Sequence, residues 1–305
     1  MTVKDQPTAD AVPYEEPSDL EQFHQRLVET GVTKAALYAG LGLFLTWTLF
    51  PVYWLVTATL KERQTLLTFP PQWIPLDAQL SNFSALFTQR PEFLNFLINS
   101  VVVTTITTVI ATSIGAMAAY AFVTFDYPYN LDFHLPFYIL STRFMPPIVT
   151  IIPLFVIFRN LQLINTLPGL ILVYSMFNIP FAVWMMKGFF EEVPDSLVES
   201  AMMDGHTHLG AFVKIVLPLV KPGLIASAIF TIIITWNELL FAVILTLNAK
   251  ATTVPVGLAS FVTKFNVQWI NMSVGATIAL IPVLLFAFIA RQQLVRGFSM
   301  GAVGK

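Results

Sequence analysis

Two charged side chains lie inside long apolar runs, where charges are rare. Arg143 is the only charged residue among residues 133–158, and Glu238 is the only one among residues 223–248. A charge near the centre of a bilayer costs about 2.5–3.5 kcal/mol on insertion scales, so each should face a bundle interior, water or a partner. Charged and amide groups bond hydroxyl groups, and an indole ring stacks on apolar faces. The candidates for the pathway of a hydroxyl-bearing solute are Arg143, Trp236, Asn237 and Glu238.

The sequence leaves three roles open for Arg143 and Glu238. In the first, they bond the solute while Trp236 stacks on it. In the second, local hydrogen bonds satisfy both groups, with Asn237 beside Glu238, and the two residues only stabilise helix packing. In the third, they form an ion pair, which needs tilt or long side chains because a rise of about 1.5 Å per residue offsets them by about 8 Å.

Other chemical groups are sparse. The histidines lack the spacing of a zinc site, and no glycine-rich loop precedes a Lys-Ser or Lys-Thr pair that could hold phosphates. No constellation typical of an intramembrane hydrolase is present, and a net charge of −2 without basic runs argues against nucleic-acid binding. We therefore predict a chain that is not an enzyme and that binds no metal or cofactor itself.

A polar segment, residues 189–222, interrupts the apolar sequence. Pro194 is placed to open a helix, and Gly205 is placed to end it in a left-handed cap. Thr207 is then suited to cap a second helix. The pattern predicts two short helices joined by a sharp turn and exposed between two membrane spans. Such a shape suits docking to another protein, although an ordinary amphipathic loop is the alternative.

Eight positions of this segment carry a motif with fixed spacing: Glu199, Ser200, Ala201, Asp204, Gly205, Ile215, Leu217 and Pro218. The motif resembles the EAA loop of permease subunits in ATP-driven importers, with Ser200 where alanine is more usual. The resemblance implies that the segment forms coupling helices seated in a cleft of a cytoplasmic ATPase subunit. It also implies that ATP and Mg²⁺ bind to that partner.

Composition places the chain in a bilayer. Hydrophobic residues make up 56% of it and charged residues 11%, and the mean hydropathy is +0.72. Six apolar runs each reach the roughly 20 residues that cross the hydrocarbon core as a helix. They are residues 35–60, 94–125, 133–158, 167–186, 223–248 and 265–290. We predict an all-α integral membrane protein with six transmembrane helices, because the runs lack the alternation of barrel strands.

Lys and Arg counts give only a modest bias and leave the orientation open, and the resemblance to importer permeases implies that both termini are cytoplasmic. With both termini cytoplasmic, nine lie inside and six outside, with Arg143 in the membrane. Residues 1–32 are then a cytoplasmic tail with a short amphipathic helix over residues 18–30, and residues 33–305 form the six-span domain. Residues 61–93 and 249–264 form outer loops, in which cysteines at Gln72 and at Ala251 are expected to react from outside.

Further motifs lie across residues 35–305. They are Arg143–Pro147, Ile152–Phe155, Asn165-Thr166 with Gly169-Leu170, Trp236–Glu238, and the tail from Gly297 through Lys305. They resemble the carbohydrate branch of these permeases, most of all the second permease of maltose- or trehalose-type importers. The resemblance implies a type I ABC importer permease fold in the cell membrane, a second permease subunit, two ATPase subunits and an extracytoplasmic substrate-binding protein.

Alternatives remain in the sequence. An ion-gradient-driven secondary carrier would transport without an ATPase, but it would not explain the polar segment. Within the importer class, the solute is a sugar or sugar-like molecule on this resemblance, with a polyol or a glycerol phosphate as the alternatives.

Overall fold

The computed structural model describes the backbone of residues 31–300 and the side chains of residues 34–288. The helix expected over residues 18–30 and the end of the tail motif lie outside these described residues. Internal contacts divide the chain into residues 1–54 and residues 55–305. In the first unit, the described residues form the regular beginning of helix α1, Gly31–Thr59. The following paragraphs concern the second unit.

Helices account for most of this unit, and its described part contains one isolated β-bridge, between Val262 and Val267. Two 3₁₀ turns, Pro128–Asn130 and Thr142–Phe144, flank α5. After α1 the α-helices are, in chain order, α2 Arg63–Leu66, α3 Ser81–Gln89, α4 Phe93–Thr124, α5 Leu131–Ser141, α6 Pro147–Asn160, α7 Leu167–Glu191, α8 Asp195–Met203, α9 His208–Ala211, α10 Leu217–Leu219, α11 Lys221–Trp236, α12 Leu240–Leu245, α13 Val254–Ala259 and α14 Trp269–Met300.

The predicted apolar runs are helical, but two of them are broken. The third run bends by 92° between the 3₁₀ turn that ends at Phe144 and α6. Pro146 and Pro147 explain this break, because neither has an N–H to continue the helical ladder. The fifth run is divided into α11 and α12 by residues 237–239.

Four helices of the described part are long and apolar enough to span a membrane, namely α1, α4, α7 and α14. Two bent pairs of helices bring the number to six if each pair is one span. One pair forms the third run, and the other joins residues 208–219 to α11 at an angle of 79°. The six-span prediction thus agrees with the upper count, and it missed the bends.

Helices α4 and α7 form the centre of the fold, and α11 packs against both and against α14. At their closest approach, a Cβ added to Gly115 would lie 2.5 Å from the Cβ of Ala182. Small residues allow such close helix packing inside membranes. Two buried threonines of α4 satisfy their hydroxyls locally, since Thr108 donates to the Thr104 carbonyl at 2.7 Å and Thr112 to the Thr108 carbonyl at 2.6 Å.

Asn165 joins the end of the fifth run to the start of α7. Its amide Oδ1 accepts hydrogen bonds from the backbone N–H groups of Leu247 and Asn248, at 3.1 and 3.2 Å. Its own N–H donates to the Leu245 carbonyl at 2.7 Å. Thr166 caps α7 by accepting from the N–H of Gly169 at 3.1 Å. This motif therefore has a structural role that its sequence alone did not reveal.

The second predicted outer loop is fastened to α4 rather than free. Asn99 donates to the carbonyls of Lys250 and Thr252, at 3.2 and 2.9 Å, and Ser100 accepts from the N–H of Val254 at 2.8 Å. Ala251 between them is 0% exposed. The expectation that a cysteine at this position is accessible was therefore wrong, because side chains of a span cover the loop.

We predict that Gly115→Ala destabilises the fold. The added methyl group would force α4 and α7 apart, and overpacking of this kind costs about 1–3 kcal/mol. The check is the midpoint of thermal unfolding of the purified protein in detergent. Gly188→Ala is the matched control, because a Cβ at Gly188 in α7 meets nothing within 4 Å. Equal midpoints for the two variants would contradict the close contact.

Candidate functional site

The polar segment folds as the sequence predicts, into a helix, a turn and a second helical stretch. Helix α8 ends at Met203, and Gly205 has a φ of +83°. This left-handed conformation favours glycine. The Thr207 hydroxyl then accepts a hydrogen bond from the N–H of Gly210 at 3.2 Å and caps α9. We name α8 through α10, residues 195–219, the docking segment.

The second helical stretch is not uniform. After α9 it widens into a π-helix over Phe212–Val216, in which Leu217 donates to the Phe212 carbonyl. Pro218 follows at once, and a proline inside a helix removes one hydrogen bond and crowds the preceding turn. The wider π turn accommodates this proline without ending the helix, which continues to Leu219 before α11 begins.

The motif positions divide between surface and core. Four of them are exposed on the turn side of the segment: Glu199, Ser200, Asp204 and Gly205. Ala201 is 1% exposed, and Ile215 and Leu217 are half-buried, whereas Pro218 is exposed. Large apolar side chains also reach the surface, with Met203 88% and Leu209 66% exposed. An apolar surface with carboxylates around it is suited to contact another protein.

Aromatic rings attach the docking segment to the spans. The Tyr120 ring of α4 lies 4.8 Å from the Phe212 ring and 5.8 Å from the Phe190 ring of α7, between centroids. Val216 and Met186 complete this buried cluster. Because the segment packs into one core with α4 and α7, a force on it reaches both helices. The sequence analysis had no signal for Tyr120 or Phe190.

Arg143 lies at the break of the third run, beside a cavity of about 760 Å³ between this run and α7. Its guanidinium donates to the Phe177 carbonyl at 3.3 Å and lies 5.2 Å from the centroid of the Phe181 ring. The cavity is lined mainly by apolar side chains, with the hydroxyls of Ser141, Thr142 and Thr150 among them. Sequence reasoning did not identify Phe177 or Phe181 as partners of Arg143.

Glu238 lies at the break of the fifth run and caps the helix that follows. Its two carboxylate oxygens accept hydrogen bonds from the N–H groups of Phe241, at 2.9 Å, and Ala242, at 3.2 Å. A carboxylate at this position also interacts favourably with the helix dipole. Asn237 bonds the Ile233 carbonyl at 2.8 Å and is exposed, whereas Trp236 is 4% exposed. Trp236 therefore presents no ring face to a solute in this conformation.

Arg143 and Glu238 do not pair with each other. The ion pairs of the described residues are Arg90 with Glu92 and Lys187 with Glu191. An aromatic pair connects the two sites instead, since the Phe177 and Phe241 rings lie 4.6 Å apart. The local hydrogen bonds agree with the structural role that the sequence left open. They do not test a role in the pathway.

Polar side chains that the sequence analysis did not select lie buried beside these residues. Asn178 donates to the Tyr174 carbonyl at 2.8 Å and to the Thr235 hydroxyl at 3.3 Å. Its Oδ1 and the Ser175 Oγ have no hydrogen-bond partner among the described residues. Among the residues that the structure describes, no group of three His, Asp or Glu side chains is placed to hold a metal ion.

Comparison with known proteins places this geometry in a known context. Residues 131–300 match the family described as "Binding-protein-dependent transport system inner membrane component". The chain is 37% identical to the trehalose transport system permease protein SugB of Mycobacterium tuberculosis, over 90% of this chain and 99% of that protein. It is 32% identical to the sulfoquinovosyl glycerol transport system permease protein SmoH of Agrobacterium fabrum, over 84% and 88%.

A solved structure has the same fold. It is described as a bacterial ABC transporter involved in the import of the acidic polysaccharide alginate. The superposition has a TM-score of 0.70 at 22% identity and covers 92% of this chain and 99% of that chain. The predicted fold, that of a type I ABC importer permease, is thereby confirmed.

We predict that Glu238→Leu destabilises the break in the fifth run. It leaves the N–H groups of Phe241 and Ala242 without an acceptor, at about 1–3 kcal/mol for each buried group. Glu238→Gln keeps one carbonyl oxygen and should lose less, as thermal unfolding in detergent would measure. Asn237→Leu is the control, since the Ile233 carbonyl still accepts the backbone N–H of residue 237. Normal transport by an intact Glu238→Leu complex would end the pathway hypothesis for this residue.

Proposed function

The chain belongs to the family of inner membrane components of binding-protein-dependent transport systems, and we propose that the solute it moves inward is a sugar or sugar-like molecule. It is a pore-forming permease subunit of an ATP-driven importer, and the ATPase is a separate subunit. The single observation that carries the function is the docking segment. Its turn is exposed, and its second helical stretch packs onto two spans. The names of relatives that transport trehalose and sulfoquinovosyl glycerol support the choice of solute class.

The proposed assembly contains four further partners. A second permease subunit completes the pore, and two ATPase subunits bind ATP and Mg²⁺ on the cytoplasmic side. An extracytoplasmic binding protein delivers the solute to the outer loops. This chain contributes the docking segment to that assembly, with Glu199, Asp204 and Gly205 on the exposed side of its turn.

The proposed mechanism is alternating access. Closure of the ATPase pair around ATP moves the docking segment, and the Tyr120, Phe190 and Phe212 rings transmit this movement to α4 and α7. The breaks in the third and fifth runs lie next to the helices that move. Broken helices inside a membrane are tolerated where protein buries them or where they line a cavity, which is the arrangement of many transport sites.

The proposed pathway runs along the cavity beside Arg143. Its guanidinium and the neighbouring hydroxyls supply donors for sugar hydroxyls, while apolar side chains supply the rest of the lining. Asn237 is exposed next to the second break and is a further candidate. A secondary carrier would use no ATPase, and transport of the solute by the chain without ATPase subunits would favour that alternative.

We predict a topology with both termini and the docking segment in the cytoplasm. The chain has no native cysteine, so single cysteines report without background. Cysteine at the exposed Ala78 should react with an impermeant thiol reagent from outside, and cysteine at the exposed Thr207 only after the membrane is opened. Cysteine at the buried Ala251 should react with neither treatment while the protein is folded. Labelling of position 207 in sealed cells would contradict the arrangement.

We also predict that Gly205→Val weakens the stimulation of ATP hydrolysis by solute. A Cβ at Gly205 meets nothing within 4 Å in this chain, so within the chain the substitution acts through the φ of +83°. A β-branched residue is strained there, whereas asparagine tolerates this conformation. In the reconstituted importer, solute-stimulated ATP hydrolysis should fall steeply for Gly205→Val and stay near the wild-type rate for Gly205→Asn. Equal rates for both variants would show that the turn does not aim the docking segment.

A further inference from the structure

A second cavity shares no lining residue with the cavity of the proposed pathway, and its lining is more polar. Its volume is about 390 Å³, within the size range of small-molecule sites. It opens between α2, α3 and the residues that begin α14. In the proposed topology these elements belong to the outer side.

The lining of this cavity is mostly polar and almost uncharged. Five amide side chains, one guanidinium and one indole provide most of it, and no carboxylate does. Amides donate and accept hydrogen bonds without a net charge, so they match hydroxyl groups better than they match ions. The site therefore does not favour a cation, and a single guanidinium is a weak basis for a phosphate site.

Hydrogen bonds between distant segments hold these groups in place. Arg63 donates to the Asn266 Oδ1 at 2.9 Å, and the Asn271 amide donates to the Oε1 atoms of Gln89 and Gln268, each at 3.1 Å. In the described part of the chain, the Nε2 groups of Gln89 and Gln268 and the Oδ1 of Asn271 form no further hydrogen bond. Two donors and an acceptor thus remain for a ligand on a site that is already ordered.

Trp269 supplies an aromatic face at the same cavity. Its side chain is 42% exposed, and it begins α14, so its backbone is fixed by a long helix. An exposed indole beside ordered amides combines an apolar surface for the C–H face of a pyranose ring with partners for its hydroxyls. A tryptophan that only anchors the protein at the membrane interface would not need the amide side chains that surround Trp269.

We infer that this cavity is an outer subsite for a ring sugar, which holds the solute after delivery and before it enters the spans. The inference rests on the proposed function. A docking site for the binding protein fits less well, because protein interfaces place apolar residues at their centre. Two of the most exposed apolar side chains of this side, Phe69 at 95% and Phe265 at 92%, are not part of the cavity lining.

The test measures protection of a cysteine by sugar. Ala85 lines the cavity from α3, and Ser84 is the exposed residue before it that does not line it. The complete importer, reconstituted with Ala85→Cys or Ser84→Cys in this chain, is labelled from outside with an impermeant maleimide. The probes are trehalose and maltose, with sorbitol at equal concentration as the acyclic control. We expect at least one disaccharide to slow labelling at position 85, no effect at position 84, and no protection by sorbitol.

Variants of the cavity then assign the effect. Loss of an aromatic contact weakens binding by about three- to tenfold, so Trp269→Ala in the Ala85→Cys background should require that much more sugar for equal protection. Trp269→Phe should retain most of the protection, and Asn271→Ala should weaken it independently. Trp73→Ala is the matched control, because Trp73 is a 55% exposed outer tryptophan that does not line the cavity.

The outcomes separate this inference from the proposed function. ATP-driven, binding-protein-dependent uptake of both sugars is measured in the same vesicles. Uptake without protection at position 85 would overturn the subsite and leave the function intact. Protection by the sugar-free binding protein, but by neither sugar, would assign the cavity to protein docking and also overturn it. Absence of uptake for every sugar would instead count against the proposed function.

Discussion

Hydrocarbon offers no hydrogen-bond partner to a polypeptide, and this constraint governs where the chain can depart from a helix. A break exposes N–H and C=O groups that water cannot satisfy in the bilayer. Both intramembrane charges of this chain lie at such breaks. Glu238 accepts from the first free N–H groups of α12, and Arg143 donates to a carbonyl of α7 beside the bend of the third run. Glu238 therefore satisfies backbone groups that its own break leaves free, whereas Arg143 joins the bend of the third run to the neighbouring helix.

The proposed coupling depends on a second constraint, the close packing of α4 against α7. Gly115 and Ala182 bring the two backbones together, and the rings of Tyr120, Phe190 and Phe212 continue the contact into the docking segment. Packed elements of this kind move as units rather than deforming continuously. The docking segment thus shares one buried core with the central spans.

Local signals in the sequence predicted local structure well. Gly205 and Thr207 were assigned the cap and turn roles that they have, because a left-handed glycine and an N-cap threonine need only their neighbours. Run length and hydropathy likewise predicted the long spans. Burial was harder, because it depends on residues distant in sequence. Trp236 and Ala251 are covered by tertiary contacts that no local pattern reports.

The candidate pathway was predicted only in part for the same reason. A charge in an apolar run marks a special position, but its partner can lie on any neighbouring helix. Nothing in the sequence connects Arg143 to the Phe177 carbonyl, or Tyr120 to Phe212. The polar cavity beside Trp269 was not predicted because its amides come from two segments that are distant in sequence, and each amide alone is an ordinary surface residue.

The hydrogen bonds of Asn165 bear on how binding events on the two faces of the membrane can be coupled. One amide ties the start of α7 to the residues after α12, while the far end of α7 lies in the core of the docking segment. Coupling free energy between two binding events is reciprocal. If α7 couples the two faces of the membrane, solute on one face would change the affinity for nucleotide on the other. Nucleotide would then change the affinity for solute by the same factor. The same helix, α7, would then respond to solute and transmit movement from the ATPase.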